Sequence, residues 1–197
     1  MSDNNWINIT ERSFYFIRHG QTDWNVKHQA MGITDIPLNK IGEKQAQQAA
    51  TQFKGIKIKS ICYSPLKRAF RTAEILNEVL DCQMYPIDEI KEFNLGQSAG
   101  KVIGDWFDEW MRGGYLLDGE SFHEFVARAL SGVNKALAHK GPVLIVAHGG
   151  IYWAIQMAIN QLDLPDLPNC LLASFIQPKL DKAWKCIHHR SEQISLP

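Results

Sequence analysis

"PVLIVAHGG", residues 142–150, runs from Pro142 to Ala147 without a polar side chain and then breaks into a histidine and two glycines. A strand with one wet face would alternate, so an unbroken apolar run of this length predicts a central strand covered on both sides. Covering both faces of a sheet takes helices above and below it. His148 then leaves the core at the carboxyl end of that strand, where the glycines let the chain turn.

Working outward, the apolar period switches between two and about 3.6 along the chain, the mark of alternating strands and helices. Further strands are expected at 13–17 ("SFYFI"), 60–64 ("SICYS"), 82–87 ("CQMYPI"), 171–176 ("LLASFI") and 183–188 ("AWKCIH"). The last two read as a hairpin spanning about 170–190, with Pro178 in its turn. Helices are expected at about 40–53, 66–80, 122–139 and 150–160. In helix 66–80, Ala69, Ala73, Leu76, Val79 and Leu80 share a side, and Ser64-Pro65 reads as its cap and first-turn pair. In helix 122–139, Phe122, Phe125, Val126, Ala129, Leu130 and Val133 form a stripe behind a Ser121–Glu124 capping box. No repeat, low-complexity segment or linker interrupts the pattern, so residues 1–197 are expected to form one α/β domain.

Composition narrows the function. Of 197 residues, 45% are hydrophobic and 21% charged, and 21 basic side chains balance 21 acidic ones. That balance gives no support to a nucleic-acid or membrane-surface binder, so any anion site must be local. No signal pattern or membrane-length apolar run is present, and Cys62, Cys82, Cys170 and Cys186 form no CxxC pair. A reducing cytoplasmic location is the expectation.

The strand ends carry the chemistry. The first strand ends in Arg18-His19-Gly20, the second leads into Arg68, and "PVLIVA" ends in His148. Ligands of open α/β sheets bind at the carboxyl ends of strands. Arg68 also falls in the first turn of its helix, beside free N–H groups that favour an anion. The two arginines and two histidines are therefore expected to converge on one small anion. Adjacent His188 and His189 would point to opposite faces of a strand and are poorly placed to share a metal.

The blocks "RHGQTDWN" (18–25), "SPLKRAFRTAEIL" (64–76), "GESF" (119–122) and "VAHGG" (146–150) resemble the signature of the histidine phosphatase superfamily, the branch with cofactor-dependent phosphoglycerate mutases and their phosphatase relatives. The resemblance implies a three-layer α/β/α sandwich around a mostly parallel sheet, with no metal or other cofactor. His19 resembles the nucleophile that becomes a phosphohistidine. Arg18, Arg68 and His148 resemble the groups holding the phosphoryl oxygens, with Asn25 closing the pocket. Glu92, in "IKEFNLGQSAG", matches the family's proton donor, with Glu89 as a nearby rival. A carboxyl group facing a bound phosphate dianion should have its pKa raised, as a general acid requires.

The match departs from the family at Gly96-Gln97-Ser98-Ala99-Gly100, where an aromatic-acidic pair is absent, and at Gln29 and Met31, where many relatives carry Arg and Gln. Both departures bear on the leaving group. A variable cover is expected over about 94–120, with Trp106, Trp110 and Tyr115 as candidate substrate contacts, unless these aromatics are the buried stripe of a helix. Residues 97–119 hold two basic side chains, Lys101 and Arg112, against four acidic ones. The expected function is metal-independent hydrolysis of a small phosphate monoester. The rivals are a phosphoglycerate mutase and a non-catalytic phospho-ligand-binding module. A homodimer is a further possibility that exposed cover tryptophans would suit.

Overall fold

One sheet holds six strands: β1 (Phe14–Arg18), β2 (Ser60–Tyr63), β3 (Gln83–Pro86), β4 (Val143–Ala147), β5 (Leu172–Ile176) and β6 (Lys185–His189). Their spatial order is β3-β2-β4-β1-β5-β6. Neighbours from β3 through β1 are parallel, β5 runs antiparallel to β1, and β6 runs antiparallel to β5. All the strands but β5 thus share a direction, as expected of a mostly parallel sheet. The computed structural model describes residues 7–178 and 183–189.

All five residues of β4 are buried, because β1 and β2 flank it and both faces are covered. Alternation along the strands divides the core into two layers. Phe14, Phe16, Val143, Ile145 and Phe175 face α5 (Phe122–Leu137) and α6 (Gly149–Ala158). Tyr15, Ile17, Ile61, Leu144 and Val146 face α2 (Lys40–Thr51) and α3 (Lys67–Leu80). The result is the three-layer α/β/α sandwich. Two short helices, α1 (Asp23–Val26) and α4 (Asp105–Met111), were not among the four expected. No helix among the described residues is long and apolar enough to cross a membrane.

Helix α5 starts as its sequence says: Glu124 N–H donates to Ser121 Oγ at 3.2 Å, and Ser121 N–H returns a bond to Glu124 Oε2 at 2.9 Å. Helix α3 departs from expectation. Its N-cap position is Leu66, which offers no side-chain acceptor. Asp35 Oδ1 accepts the Lys67 N–H at 2.6 Å, while Ser64 Oγ reaches only the Leu66 N–H, at 3.4 Å. Val79 is not on the buried side either. It is 54% exposed at the rim of a surface cavity, while Thr72 and Ile75 are buried. The β5–β6 pairing matches the expected hairpin, although residues 179–182 of its turn lie outside the described residues. His188 bonds the Tyr152 hydroxyl at 2.7 Å and His189 the Ser174 hydroxyl at 2.5 Å, on opposite faces of β6.

One close approach ties the sheet edge to α2. A Cβ on Gly20 would lie 2.4 Å from the carbonyl oxygen of Gly42, and one on Gly42 would lie 2.1 Å from that of Gln21. Both obstacles are backbone, so neither can swing aside. Gly20→Ala should therefore cost about 1–3 kcal/mol through overpacking. In a thermal melt this reads as a Tm lower by roughly 2–10 °C, and an unchanged Tm would show that the crossing has slack.

Candidate active site

Strand hydrogen bonding continues past β1 and β2 and brings the key residues together. His19 N–H donates to Ala147 O at 3.0 Å, and Ser64 N–H donates to Val146 O at 3.0 Å. Residues 19, 64 and 148 therefore meet at the carboxyl edge of three neighbouring strands.

His19 is buried, with its Nδ1 2.7 Å from the carbonyl oxygen of Gly20. A carbonyl only accepts, so Nδ1 carries the proton and Nε2 of the neutral ring keeps its lone pair. Burial foremost, then the charges of Arg68 and Arg18, hold the ring's pKa well below 6.5. The imidazole is thus a free base at neutral pH.

Arg68 is wholly buried and donates from its terminal nitrogens to Thr34 O at 2.8 Å and Gly32 O at 2.7 Å. Burial lowers its pKa to about 10, against the opposing pull of Glu92 and Asp35. Arg18 donates to Leu167 O at 3.0 Å. His148, at the N-cap of α6, lies with its ring centroid 5.2 Å from that of His19. Its Nε2 is 2.7 Å from Ser64 Oγ, which accepts a 3.4 Å bond from Leu66 N–H. The hydroxyl can donate to Nε2 or accept from it, so this contact is satisfied by either tautomer of a neutral His148. Burial and the nearby Arg68 keep that ring neutral. Arg18 Nε, Arg68 Nε and His148 Nδ1 are three of the four buried side-chain polar atoms among the described residues that lack a hydrogen-bond partner. Such atoms are rare in folded proteins and call for an explanation. Here two are guanidinium donors and the third an imidazole nitrogen, gathered at one place.

Glu92 closes the set. Its carboxylate accepts from Gly150 N–H at 3.2 Å and Phe93 N–H at 3.3 Å. Burial raises its pKa despite the Gly150 bond and the two arginines. A Cβ at Gly150 would sit 2.3 Å from Glu92 Oε1, so glycine there makes room for the acid. Behind it, Arg128 of α5 donates to the carbonyls of Glu89 (2.8 Å), Lys91 (3.0 Å) and Glu92 (3.2 Å) and pairs with Glu120 at 2.6 Å. Glu89, the rival acid, is bound to Lys135, which lowers its pKa.

A cavity of about 530 Å³ opens onto these groups. Arg18, His19, Asn25, Gln29, Met31, Arg68 and Glu92 line it. His148 does not; it is fully buried beside His19. The expected cover contacts Trp106, Trp110 and Tyr115 do not line it either. Trp110 is 1% exposed, packs against Phe93 and Phe107, and donates to Glu120 O. Trp106 is half-buried with its N–H on Val102 O, and Tyr115 is 84% exposed. The amphipathic turn of α4 faces Phe107, Asp108 and Met111 to the cavity instead. Trp24, Trp153, Asp166, Leu167 and Asn169 also line it, and no signal in the sequence marks them. Asn169 donates to His19 O at 2.8 Å and lies 3.5 Å from Asn25 Oδ1. It sits in a loop without periodicity, so no local signal marked it.

The profile of the histidine phosphatase superfamily (branch 1) matches residues 14–177. The uncharacterised phosphatase PhoE of Bacillus subtilis (strain 168) is 38% identical over 161 residues, 80% of this chain and 82% of that protein. The probable phosphoglycerate mutase GpmB of Escherichia coli (strain K12 / DH10B) is 33% identical over 147 residues, 68% of each. Among solved structures, a mycobacterial glucosyl-3-phosphoglycerate phosphatase complexed with VO3 superposes with a TM-score of 0.74 at 26% identity, over 90% of this chain and 98% of that one.

Proposed function

The chain belongs to the histidine phosphatase superfamily and is a phosphatase, and from that premise we propose that it hydrolyses a small phosphate monoester, without a metal, through a phosphohistidine at His19. The observation that most favours this is the trio of buried nitrogens without protein partners, Arg18 Nε, Arg68 Nε and His148 Nδ1, beside an imidazole whose Nε2 is unprotonated.

Arg18 and Arg68 bind the phosphoryl oxygens, and His148, in the tautomer whose Nε2 accepts from the Ser64 hydroxyl, adds a neutral Nδ1–H donor beside them. Nε2 of His19 attacks phosphorus in line as the ester P–O bond breaks. Positioning and positive charge around the equatorial oxygens supply most of the rate in such a transfer. Glu92, protonated, gives its proton to the departing alkoxide. As a carboxylate it then takes a proton from water attacking the phosphohistidine, which releases inorganic phosphate and restores the free ring.

Phosphate release from a panel of monoesters, with and without a chelator, tests the reading. Turnover that survives the chelator is expected. A strict metal requirement would contradict it. The mutase reading draws on the name of the Escherichia coli relative, and bisphosphate-stimulated isomerisation of 3-phosphoglycerate without net phosphate release would install it. Against that reading, the cavity's only fixed cations among the described residues are Arg18 and Arg68.

Arg128 is a positioning residue for Glu92. Arg128→Met should cut kcat about tenfold or more on esters of poor leaving groups, in line with a misplaced general acid. A nitrophenyl ester should be spared, because its departure needs little protonation. Equal loss on both would mean that Arg128 serves the fold alone.

A further inference from the structure

The cavity mouth carries a charge pattern that the phosphoryl transfer leaves unused. Arg18 and Arg68 lie on the phosphate side, and a bound dianion takes up their charge. Apart from His19, Glu92 and His28, the ionisable side chains that remain in the lining are Asp108 on α4 and Asp166 before Asn169. Both are exposed and without a salt bridge among the described residues, although Asp166 lies within electrostatic reach of Arg18. Asp166 is fixed in place, its Oδ1 accepting the Trp153 indole N–H at 2.9 Å. Trp24, Trp153 and Phe107 line the same cavity.

Ring faces beside carboxylates are the surroundings a cation prefers, since each aromatic quadrupole and each carboxylate attracts positive charge. They are hostile to a second phosphate or a carboxylate, because like charges juxtaposed in a binding site weaken binding. The same lining contains the buried Arg68 with its unpartnered Nε, which ties the acidic mouth to a ligand site.

Resting on the phosphatase reading above, we propose that Asp108 and Asp166 determine specificity by selecting phosphate monoesters whose alcohol bears a positive charge, such as an amino alcohol, over those whose alcohol is anionic. Trp24, Trp153 and Phe107 provide the faces against which the ammonium group and its carbon chain rest.

Three esters of similar length and different charge test this: 3-aminopropyl, butyl and 2-carboxyethyl phosphate. At low ionic strength, kcat/KM should fall in that order, with at least about a tenfold span from amine to carboxylate. About 0.5 M salt should compress the span, because both carboxylates are exposed. In an Asp108→Asn/Asp166→Asn double variant the amine-to-carboxylate ratio should shrink to within about threefold, the range expected when exposed charge pairs are lost. Asparagine at 166 still offers an oxygen to Trp153, so the change is one of charge. Taking the ratio within each enzyme cancels any general loss of rate.

If butyl phosphate is the best substrate, or if the order persists in the double variant, the inference is overturned while nitrophenyl phosphate hydrolysis keeps the phosphatase reading intact. If no ester releases phosphate, that reading falls, and calorimetric titration of the same three esters decides the inference separately. Tighter binding of the amine than of the carboxylate then supports it, and equal affinities overturn it.

Discussion

Replacing His19 by alanine should abolish phosphate release, by at least about a thousandfold, the scale seen when a covalent nucleophile is removed. The variant should remain folded. The bonds that anchor this position, His19 N–H to Ala147 O and His19 O from Asn169, belong to the backbone and survive the substitution. Circular dichroism and a thermal melt check that point beside the assay. The ring's depressed pKa sharpens the expectation. Because burial and two guanidiniums disfavour the imidazolium, the wild-type nucleophile stays unprotonated below pH 6.5, and the acid limb of kcat/KM should not begin at an ordinary histidine's pKa. Residual activity within tenfold of wild type would place the chemistry elsewhere.

Glu92→Gln should slow an alkyl phosphate by about a hundredfold to ten-thousandfold and a nitrophenyl phosphate by less than about tenfold, the signature of a lost general acid. Burial already raises this carboxyl's pKa, and a dianion bound beside it raises it further. The acid form is therefore kept to higher pH, and kcat for alkyl esters should fall as pH rises through that pKa. The limb should vanish in the glutamine variant, which has no proton to lose. Equal slowing of both esters would reassign Glu92 to binding or structure.

The parts of the molecule that were legible in the sequence are those governed by period and position. The unbroken run 142–147 announced a strand buried on both faces, and β4 is buried throughout. Strand ends announced where Arg18, Arg68 and His148 would emerge, because parallel neighbours deliver their carboxyl ends to one edge. Ser64 was misread because a serine before a proline looks like a helix cap. Its partner, His148, is 84 positions away, and the Asp35 that accepts the Lys67 N–H comes from a loop 32 positions away. The cover was misread for a related reason. An aromatic run does not say which ring faces the cavity, and the helical turn of α4 sent Phe107 there and Trp110 into the core. Arg128 illustrates the same limit. On α5 it reads as a solvated helix charge, and its grip on the carbonyls leading to Glu92 exists only after folding.

Rapid acid-free quenching of the enzyme with a phosphorus-labelled monoester tests the central claim most directly. The account predicts label on the wild-type protein that is stable to base, labile to acid and located by peptide mapping at His19, with none on His19→Ala. Steady turnover with no protein-bound phosphate, or with an acid-stable label on another residue, would contradict it.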